Sequence, residues 1–209
     1  MNIPFDRHSR RRFLQSASVI TTGLTWGGNL FSAEGQRVAS AAALSAADLP
    51  KGAAPKPVPF PHFPSRVHAF VWRNWPLVPV ERMAVVLGAR PAEVRRLGSA
   101  MGLGKPPRIT RDQQRRSYIT VIKRNWHLLP YEQLLQLLGW TPEEMAYTLR
   151  EDDFLFIKLG SLKPQCEPLR FQLSDEKTQQ REREIAGIIR REFSGGATDA
   201  TDVDASLPR

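Results

Sequence analysis

Arg73-Asn74-Trp75-Pro76-Leu77-Val78-Pro79-Val80-Glu81 recurs 51 residues later as Arg124-Asn125-Trp126-His127-Leu128-Leu129-Pro130-Tyr131-Glu132. The pairing continues without a gap as far as Glu93 and Glu144, and ten of these 21 positions are identical. A repeat of this period predicts two copies of one supersecondary unit. The predicted anchors of the two copies are Trp75, Leu77, Leu87, Gly88, Trp126, Leu128, Leu138 and Gly139.

Each copy is predicted to contain three helices. In the second copy, Thr110 and Gln113 form a capping box for a helix that runs to about Trp126. Pro130 then lies in the first turn of a short helix, and Gly139 ends it. A third helix starts at Thr141. The first copy follows the same plan without the threonine cap, with helices predicted over Val67–Trp75, Pro79–Leu87 and Pro91–Met101.

The predicted fold class is therefore all-α, with tandem duplicated, helix-turn-helix-like units. Residues 65–109 form unit 1, residues 110–168 form unit 2, and residues 169–193 form an amphipathic helix with Ile185, Ile188, Ile189 and Phe193 on one side. The Ala/Pro-rich segment 42–64 is predicted to be a spacer or a surface-hugging arm, and the polar tail 194–209 to be disordered. The apolar run Phe154–Gly160 is expected either to extend the third helix of unit 2 or to form a short strand.

The tryptophans have two interpretations. Trp75 and Trp126 occupy equivalent positions, which favours a core role over stacking on sugars. Trp72 and Trp140 have no aromatic counterparts in the other copy, and they are the better candidates for exposed, glycan-binding rings.

The helix–glycine–helix pattern resembles the helix-turn-helix of DNA-binding proteins. Ala84, Gly88 and Val94 match the spacing of that motif, whereas Leu135 in the second copy departs from it. The second copy also places Glu143 and Glu144 on the helix that would read DNA, where carboxylates are repelled by phosphates. A tandem nucleic-acid-binding protein is therefore the alternative function, and nucleic acid is not the favoured partner.

The N-terminal run Ser9-Arg10-Arg11-Arg12-Phe13-Leu14-Gln15 resembles a twin-arginine export signal, with Ser9, Arg10, Arg11, Phe13 and Leu14 as the matching residues. A weakly apolar segment and small-residue sites around Ala39-Ser40-Ala41 follow in the order that such signals require. The resemblance implies that residues 1–41 are a signal peptide. It also implies the twin-arginine translocase as a partner and a periplasmic or extracellular location.

No catalytic, cofactor-binding or metal-binding motif stands out. The 209 residues include one cysteine, Cys166, and four scattered histidines, and no serine or cysteine has a recognisable nucleophile motif. No cofactor is therefore expected. The net charge of +9 suits anionic glycans, membrane surfaces or nucleic acid without selecting one.

The block from Arg73 to about Pro168, with its paired Arg-Asn-Trp units and the stretch Arg150–Phe156, is similar to the N-terminal region of large exported bacterial proteins. Some of these carry glycoside-hydrolase-like domains downstream. The resemblance implies that this chain is the leading part of a longer protein. The expected function is an exported, non-catalytic helical module that packs against a downstream or partner domain, with glycan as a possible ligand. A small exported enzyme with a dispersed site is the third hypothesis.

Overall fold

The computed structural model describes residues 43–52, 55–152 and 154–193. Within these ranges the chain is all-helical: eight α-helices and one 3₁₀ turn, Ala46–Asp48, with no β-strand. The helices are α1 (Arg66–Asn74), α2 (Val80–Leu87), α3 (Pro91–Ala100), α4 (Arg111–Asn125), α5 (Tyr131–Leu138), α6 (Pro142–Glu151), α7 (Leu155–Lys158) and α8 (Glu176–Phe193). No helix in the described part of the chain is long and apolar enough to cross a membrane.

The predicted helix ends are confirmed where the signal is local. The Thr110 hydroxyl accepts from the Gln113 backbone N–H at the start of α4, and Thr141 does the same for Glu144 at the start of α6. Each box is closed by the side chain of the third helical residue, Gln113 or Glu144, which accepts from the backbone N–H of the cap residue. Gly139 ends α5 with a φ of 67°, a left-handed conformation that a residue without Cβ adopts freely.

The central contact of the fold is between α2 and α5, which pack against each other. Around it, α1 contacts α2, α3 and α4, while α4 contacts α5 and α3 contacts α2. The segment that follows α7 is bonded to α5 through Gln133 and lies against the contact between α2 and α5. The buried Gln133 side chain of α5 donates to the carbonyls of Val86 and Leu169, and the Leu169 N–H donates back to it. One continuous core therefore includes residues from all parts of the described chain.

The expectations for the run Phe154–Gly160 were both wrong. The chain leaves α6 at Asp152, Phe154 takes a left-handed conformation with a φ of 54°, and a separate one-turn helix, α7, follows. Because α6 ends before this left-handed residue and α7 begins after it, the run neither continues α6 nor forms a strand. Instead α7 packs back on α6.

The predicted apolar stripe of α8 needs a correction. Ile185 is buried, but Ile188 and Phe193 are 42% and 74% exposed. The buried face is instead made of Glu182, Ile185 and Ala186, because α8 meets α3 along a narrow seam. At this seam the left-handed Gly102 lies against Ala186, and a Cβ on Gly102 would be 2.9 Å from the Ala186 Cα.

Candidate functional site

The first candidate feature is the contact between α1 and α4. The side-chain amides of Asn74 and Asn125 donate to each other's oxygens over 2.8 Å in both directions. Each amide also donates to a carbonyl four residues earlier in its own helix. Both residues are fully buried, so every polar contact of this pair is made inside the protein.

A second reciprocal contact lies beside the first. The Arg73 Nε donates to the Arg124 carbonyl over 2.8 Å, and the Arg124 Nη1 donates to the Arg73 carbonyl over 2.6 Å. Burial, and then the neighbouring Arg124 charge, lower the pKa of Arg73. The carbonyls belong to the last turns of α1 and α4, where cations are favoured by the helix dipole. Each arginine therefore stabilises the C-terminal end of the other helix.

The predicted core role of Trp75 and Trp126 is confirmed. Trp75 is 6% exposed and Trp126 is 2% exposed, and their indole N–H groups donate to the carbonyls of Gly104 and Leu162, respectively. Among the other predicted anchors, Leu87 and Leu128 are buried, whereas Leu77 and Leu138 are partly buried against the core. Gly88 ends α2 in a left-handed conformation, as Gly139 ends α5.

The two tryptophans predicted to be exposed platforms are partly buried against the core. Trp72 packs against Phe63, with ring centroids 5.8 Å apart, and Trp140 packs against Tyr118 at 5.4 Å.

Lys163 is a buried cation that the sequence did not single out. Its ammonium donates to the carbonyls of Trp126 and Leu129 over 2.9 and 2.6 Å, and lies 5.2 Å from the centroid of the Trp126 ring. Burial lowers its pKa. Lys163 thus acts as a C-terminal cap for α4. The buried thiol of Cys166 lies 3.7 Å from the Lys163 ammonium, and burial raises the pKa of that thiol.

The segment before α1 packs on the helices as an arm. The Tyr131 hydroxyl donates to the Pro50 carbonyl over 2.7 Å, and the Lys163 N–H donates to the Lys51 carbonyl. Farther along, the Val58 N–H donates to His127 Nδ1 over 3.2 Å. Burial and the positive charges of Lys163 and Arg73 lower the pKa of His127, which keeps the ring in the neutral form that can accept this bond.

A cleft of about 320 Å³ opens at the start of α1, lined by Ser65, Arg66, Val67, His68, Pro168, Leu169, Arg170 and Gln172. The Ser65 Oγ lies 2.7 Å from His68 Nδ1, and His68 Nε2 lies 2.8 Å from Glu182 Oε1. The Ser174 hydroxyl donates to the same carboxylate oxygen over 2.6 Å. His68 and Glu182 are 4% and 5% exposed, whereas Ser65 is exposed.

Sequence reasoning missed this cluster. His68 lies in α1, and its partner Glu182 is 114 residues away. The one available signal was the position of Glu182, three residues before Ile185 on the same side of α8. In the described parts of the chain, no three His, Cys, Asp or Glu side chains are grouped so that they could hold a metal ion.

The last candidate feature is an apolar ledge on α7, formed by Phe154 and Ile157. The two side chains are 70% and 64% exposed, and they lie three residues apart, Phe154 directly before α7 and Ile157 within it. Next to α7, helix α6 exposes carboxylates at Glu143, Glu144 and Glu151.

The predicted export residues Ser9, Arg10, Arg11, Phe13 and Leu14 lie outside the described residues. Searches of family models, of curated proteins and of solved structures found no match to this chain. The functional interpretation therefore rests on the residues and their geometry.

Proposed function

We propose that this chain is an exported helical module that docks against a partner domain, as an accessory or leading part of a larger glycan-processing protein. The motif at Ser9–Leu14 supports export by the twin-arginine route to the periplasm or beyond. The apolar ledge of Phe154 and Ile157 supports docking. The observation that carries the docking proposal is the strained and exposed position of Phe154.

Local backbone preferences do not explain the left-handed conformation of Phe154. A bulky residue with a φ of 54° is in a left-handed conformation that costs about 1–3 kcal/mol. Core packing does not offset this strain, since 70% of the residue is exposed. Burying a phenylalanine side chain contributes about 1.5–3 kcal/mol, so contact with an apolar surface would compensate for the strain.

The charges next to the ledge define the partner surface. Glu151 is exposed at the end of α6 that leads to α7, and Glu143 and Glu144 are exposed in the first turn of the same helix. An interface with this pattern is complementary to an apolar centre with a rim of lysine or arginine. We therefore expect the docking partner to present basic side chains around an apolar pocket.

We also propose that the described helices are two duplicated three-helix units, α1–α3 and α4–α6. Two pairs of equivalent residues make reciprocal contacts, Asn74 with Asn125 and Arg73 with Arg124. Reciprocal contacts of this kind are expected between two copies related by a twofold axis. The indole acceptors support the same proposal. Gly104 precedes Lys105-Pro106 and Leu162 precedes Lys163-Pro164, which extends the likeness between the copies past their third helices.

The docking proposal is tested by photo-cross-linking in the exported protein. A photoreactive residue at position 157 is expected to cross-link to an exported protein, and the Phe154→Gly change should abolish the adduct while the fold is retained. A photoreactive residue at Leu173, another exposed apolar position outside α6 and α7, is the matched control. Equal adducts from both positions would contradict a specific ledge.

Export is tested separately with a reporter that functions only after twin-arginine transport. Fusion of residues 1–60 should export the reporter, and the Arg10→Lys/Arg11→Lys pair should prevent this. If the wild-type fusion stays in the cytoplasm, the export part of the proposal is wrong. Retention of the full chain on an immobilised polysaccharide, compared with an uncharged resin, tests the glycan part.

The tandem helix-turn-helix alternative is favoured by one observation. Gly88 makes a left-handed turn between α2 and α3, with Ala84 and Val94 both buried, as that motif requires. Two features oppose it, since Arg95 of α3 pairs with Glu81 and α6 exposes Glu143 and Glu144. Binding to duplex DNA whose affinity falls steeply with added salt would establish the alternative.

A further inference from the structure

We propose that the cleft at the start of α1 is a second functional site, in which Ser65 is a nucleophile for the hydrolysis of carboxylic esters. This adds an activity to a chain whose sequence predicts a non-catalytic module. The proposal is independent of the docking ledge, because it uses α1, α8 and the segment before α8 rather than α6 and α7. It stands on the Ser65–His68–Glu182 chain of hydrogen bonds and on the cleft that both Ser65 and His68 line.

The hydrogen bonds fix which nitrogen of His68 is the base. An ionised carboxylate only accepts hydrogen bonds, so Nε2 carries the proton and donates to Glu182 over 2.8 Å. Nδ1 is then the acceptor, and the Ser65 hydroxyl donates to it over 2.7 Å. This is the arrangement of an activated serine: the nucleophile bonded to a base, and the base oriented by a third group.

The proposed base and its carboxylate are buried, whereas the proposed nucleophile is exposed, as the reaction requires. His68 and Glu182 are 4% and 5% exposed, so the base and its orienting carboxylate are held in place away from solvent. Ser174 donates to Glu182 over 2.6 Å and is a positioning residue for that carboxylate. Ser65 is exposed at the cleft, where a substrate can reach its hydroxyl.

The Ser65 hydroxyl is not used for helix capping. Ser65 precedes α1 in the position of a cap, yet it makes no side-chain cap hydrogen bond, because its hydroxyl is directed to His68 Nδ1. The backbone N–H groups of the first turn of α1 therefore remain as donors beside the nucleophile. Donors in such a position stabilise the oxyanion that forms when a carbonyl is attacked.

The proposed reaction is the hydrolysis of an ester by water, which gives an alcohol and a carboxylic acid. The Ser65 Oγ attacks the carbonyl carbon of the ester, and its proton passes to His68 Nδ1. The carbon–alkoxy bond breaks, and the alcohol leaves with that proton. Water then attacks the acyl-serine, again giving a proton to Nδ1, and the Oγ–acyl bond breaks, so that Ser65 regains its proton and the acid is released.

The cleft also indicates the class of ester. Arg66 and Arg170 line it, and the Arg66 guanidinium is held by the carbonyls of Leu128 and Glu167. Arg170 is exposed and directly follows the buried Leu169. The two positive charges favour an ester whose acyl group carries a carboxylate, and about 320 Å³ suits a small acyl group.

The test uses the full chain with p-nitrophenyl acetate and the mono-p-nitrophenyl ester of succinic acid. We expect hydrolysis above the buffer rate, faster with the succinyl ester, and an acyl or fluorophosphonate adduct that mass spectrometry locates on Ser65. Ser65→Ala should reduce hydrolysis to the buffer rate, and His68→Gln should reduce it at least about a hundredfold. Ser99→Ala, a change at an exposed serine of α3, is the control and should have no effect.

The outcomes separate a catalytic serine from a structural one. Ser65→Ala leaves the His68–Glu182 bond intact, so its thermal unfolding midpoint should stay close to that of the wild type. Wild-type protein that neither hydrolyses the esters nor is labelled at Ser65 would overturn the proposal, whatever the variants do. Arg170→Gln should raise KM for the succinyl ester and not for the acetate. An equal change for both esters would overturn the anionic preference.

Discussion

The side chains of Asn74 and Asn125 bind each other through two hydrogen bonds of 2.8 Å in the buried contact between α1 and α4. Among the described residues, each side chain pairs with the other and with one carbonyl of its own helix, and each residue is fully buried. A buried polar pair of this kind is stabilising only while both members are present, because a lone amide would lose its partner without gaining water.

This pair predicts strong coupling in a double-mutant cycle. Asn74→Ala and Asn125→Ala should each lower the free energy of unfolding by about 1–3 kcal/mol, since each strands the other amide. The double variant should lose less than the sum of the single changes, by about 0.5–3 kcal/mol. Urea titrations of the four proteins measure this, and strict additivity would show that the two amides act independently.

Gly98 is predicted to be required for the Trp75 position. A Cβ on Gly98 would lie 2.2 Å from the Trp75 Cη2, and that indole is held by its bond to the Gly104 carbonyl. Gly98→Ala should therefore destabilise the protein, although alanine is favoured over glycine in a helix by about 1 kcal/mol.

Gly187 in α8 is the matched control for Gly98. No atom lies within 4 Å of a Cβ at this position, so Gly187→Ala should raise stability by about 0.5–1 kcal/mol. Thermal unfolding midpoints that rise in both variants would show that the Trp75 ring can move aside.

Lys163 is predicted to matter far more for stability than Lys105, although each is followed directly by a proline. Lys163→Met removes the donor from the Trp126 and Leu129 carbonyls, at about 1–3 kcal/mol for each carbonyl left unsatisfied. Lys105 is exposed, and Lys105→Met should change stability by less than about 0.5 kcal/mol. Equal unfolding midpoints in urea for the two variants would rule out the capping role.

The free energy of unfolding is predicted to decrease as the pH is lowered, because His127 becomes protonated more readily in the unfolded chain. Its pKa in the folded protein is below the usual value, so below about pH 6.5 the unfolded chain binds a proton that the folded chain does not. The contribution of His127 to the free energy of unfolding is complete above about pH 6.5, and it is lost as the pH falls towards the folded-state pKa of that residue. Because His127 is half-buried, we expect a loss below about 1 kcal/mol.

The measurement compares the free energy of unfolding at about pH 7.5 and about pH 5. His127→Asn offers a side-chain oxygen to the Val58 N–H without titrating, and it should flatten the pH dependence. His62→Asn changes an exposed histidine and should leave the dependence as it is in the wild type. A His127→Asn protein with the same dependence would assign the effect to other groups.

The sequence was sufficient to predict the features that depend on neighbouring residues. The caps at Thr110 and Thr141, and the left-handed end at Gly139, follow from preferences within a single turn. Burial of Trp75 and Trp126 followed from their equivalent positions in the repeat. These local signals gave the helix order as far as α6.

The remaining features depend on residues far apart in the chain. Glu182 is buried because His68 lies opposite it, and no pattern near either residue indicates the other. In the sequence Lys163 looks like an ordinary charged residue, and its role is visible only when the C-terminal end of α4 lies beside it in the fold. The break at Phe154 was missed because a left-handed phenylalanine opposes the local preference. The Ser65 cleft was missed for the same reason as the Glu182 contact.

The pairing of Lys51 with Lys163, and of His68 with Glu182, has a consequence for biosynthesis. The Lys51 carbonyl and the buried His68 ring receive these partners from residues that the ribosome adds more than a hundred positions later. A nascent chain that has not yet emerged through α8 cannot close this core, and long-range closure of this kind slows folding. The protein therefore reaches its native state only after α8 has been synthesised.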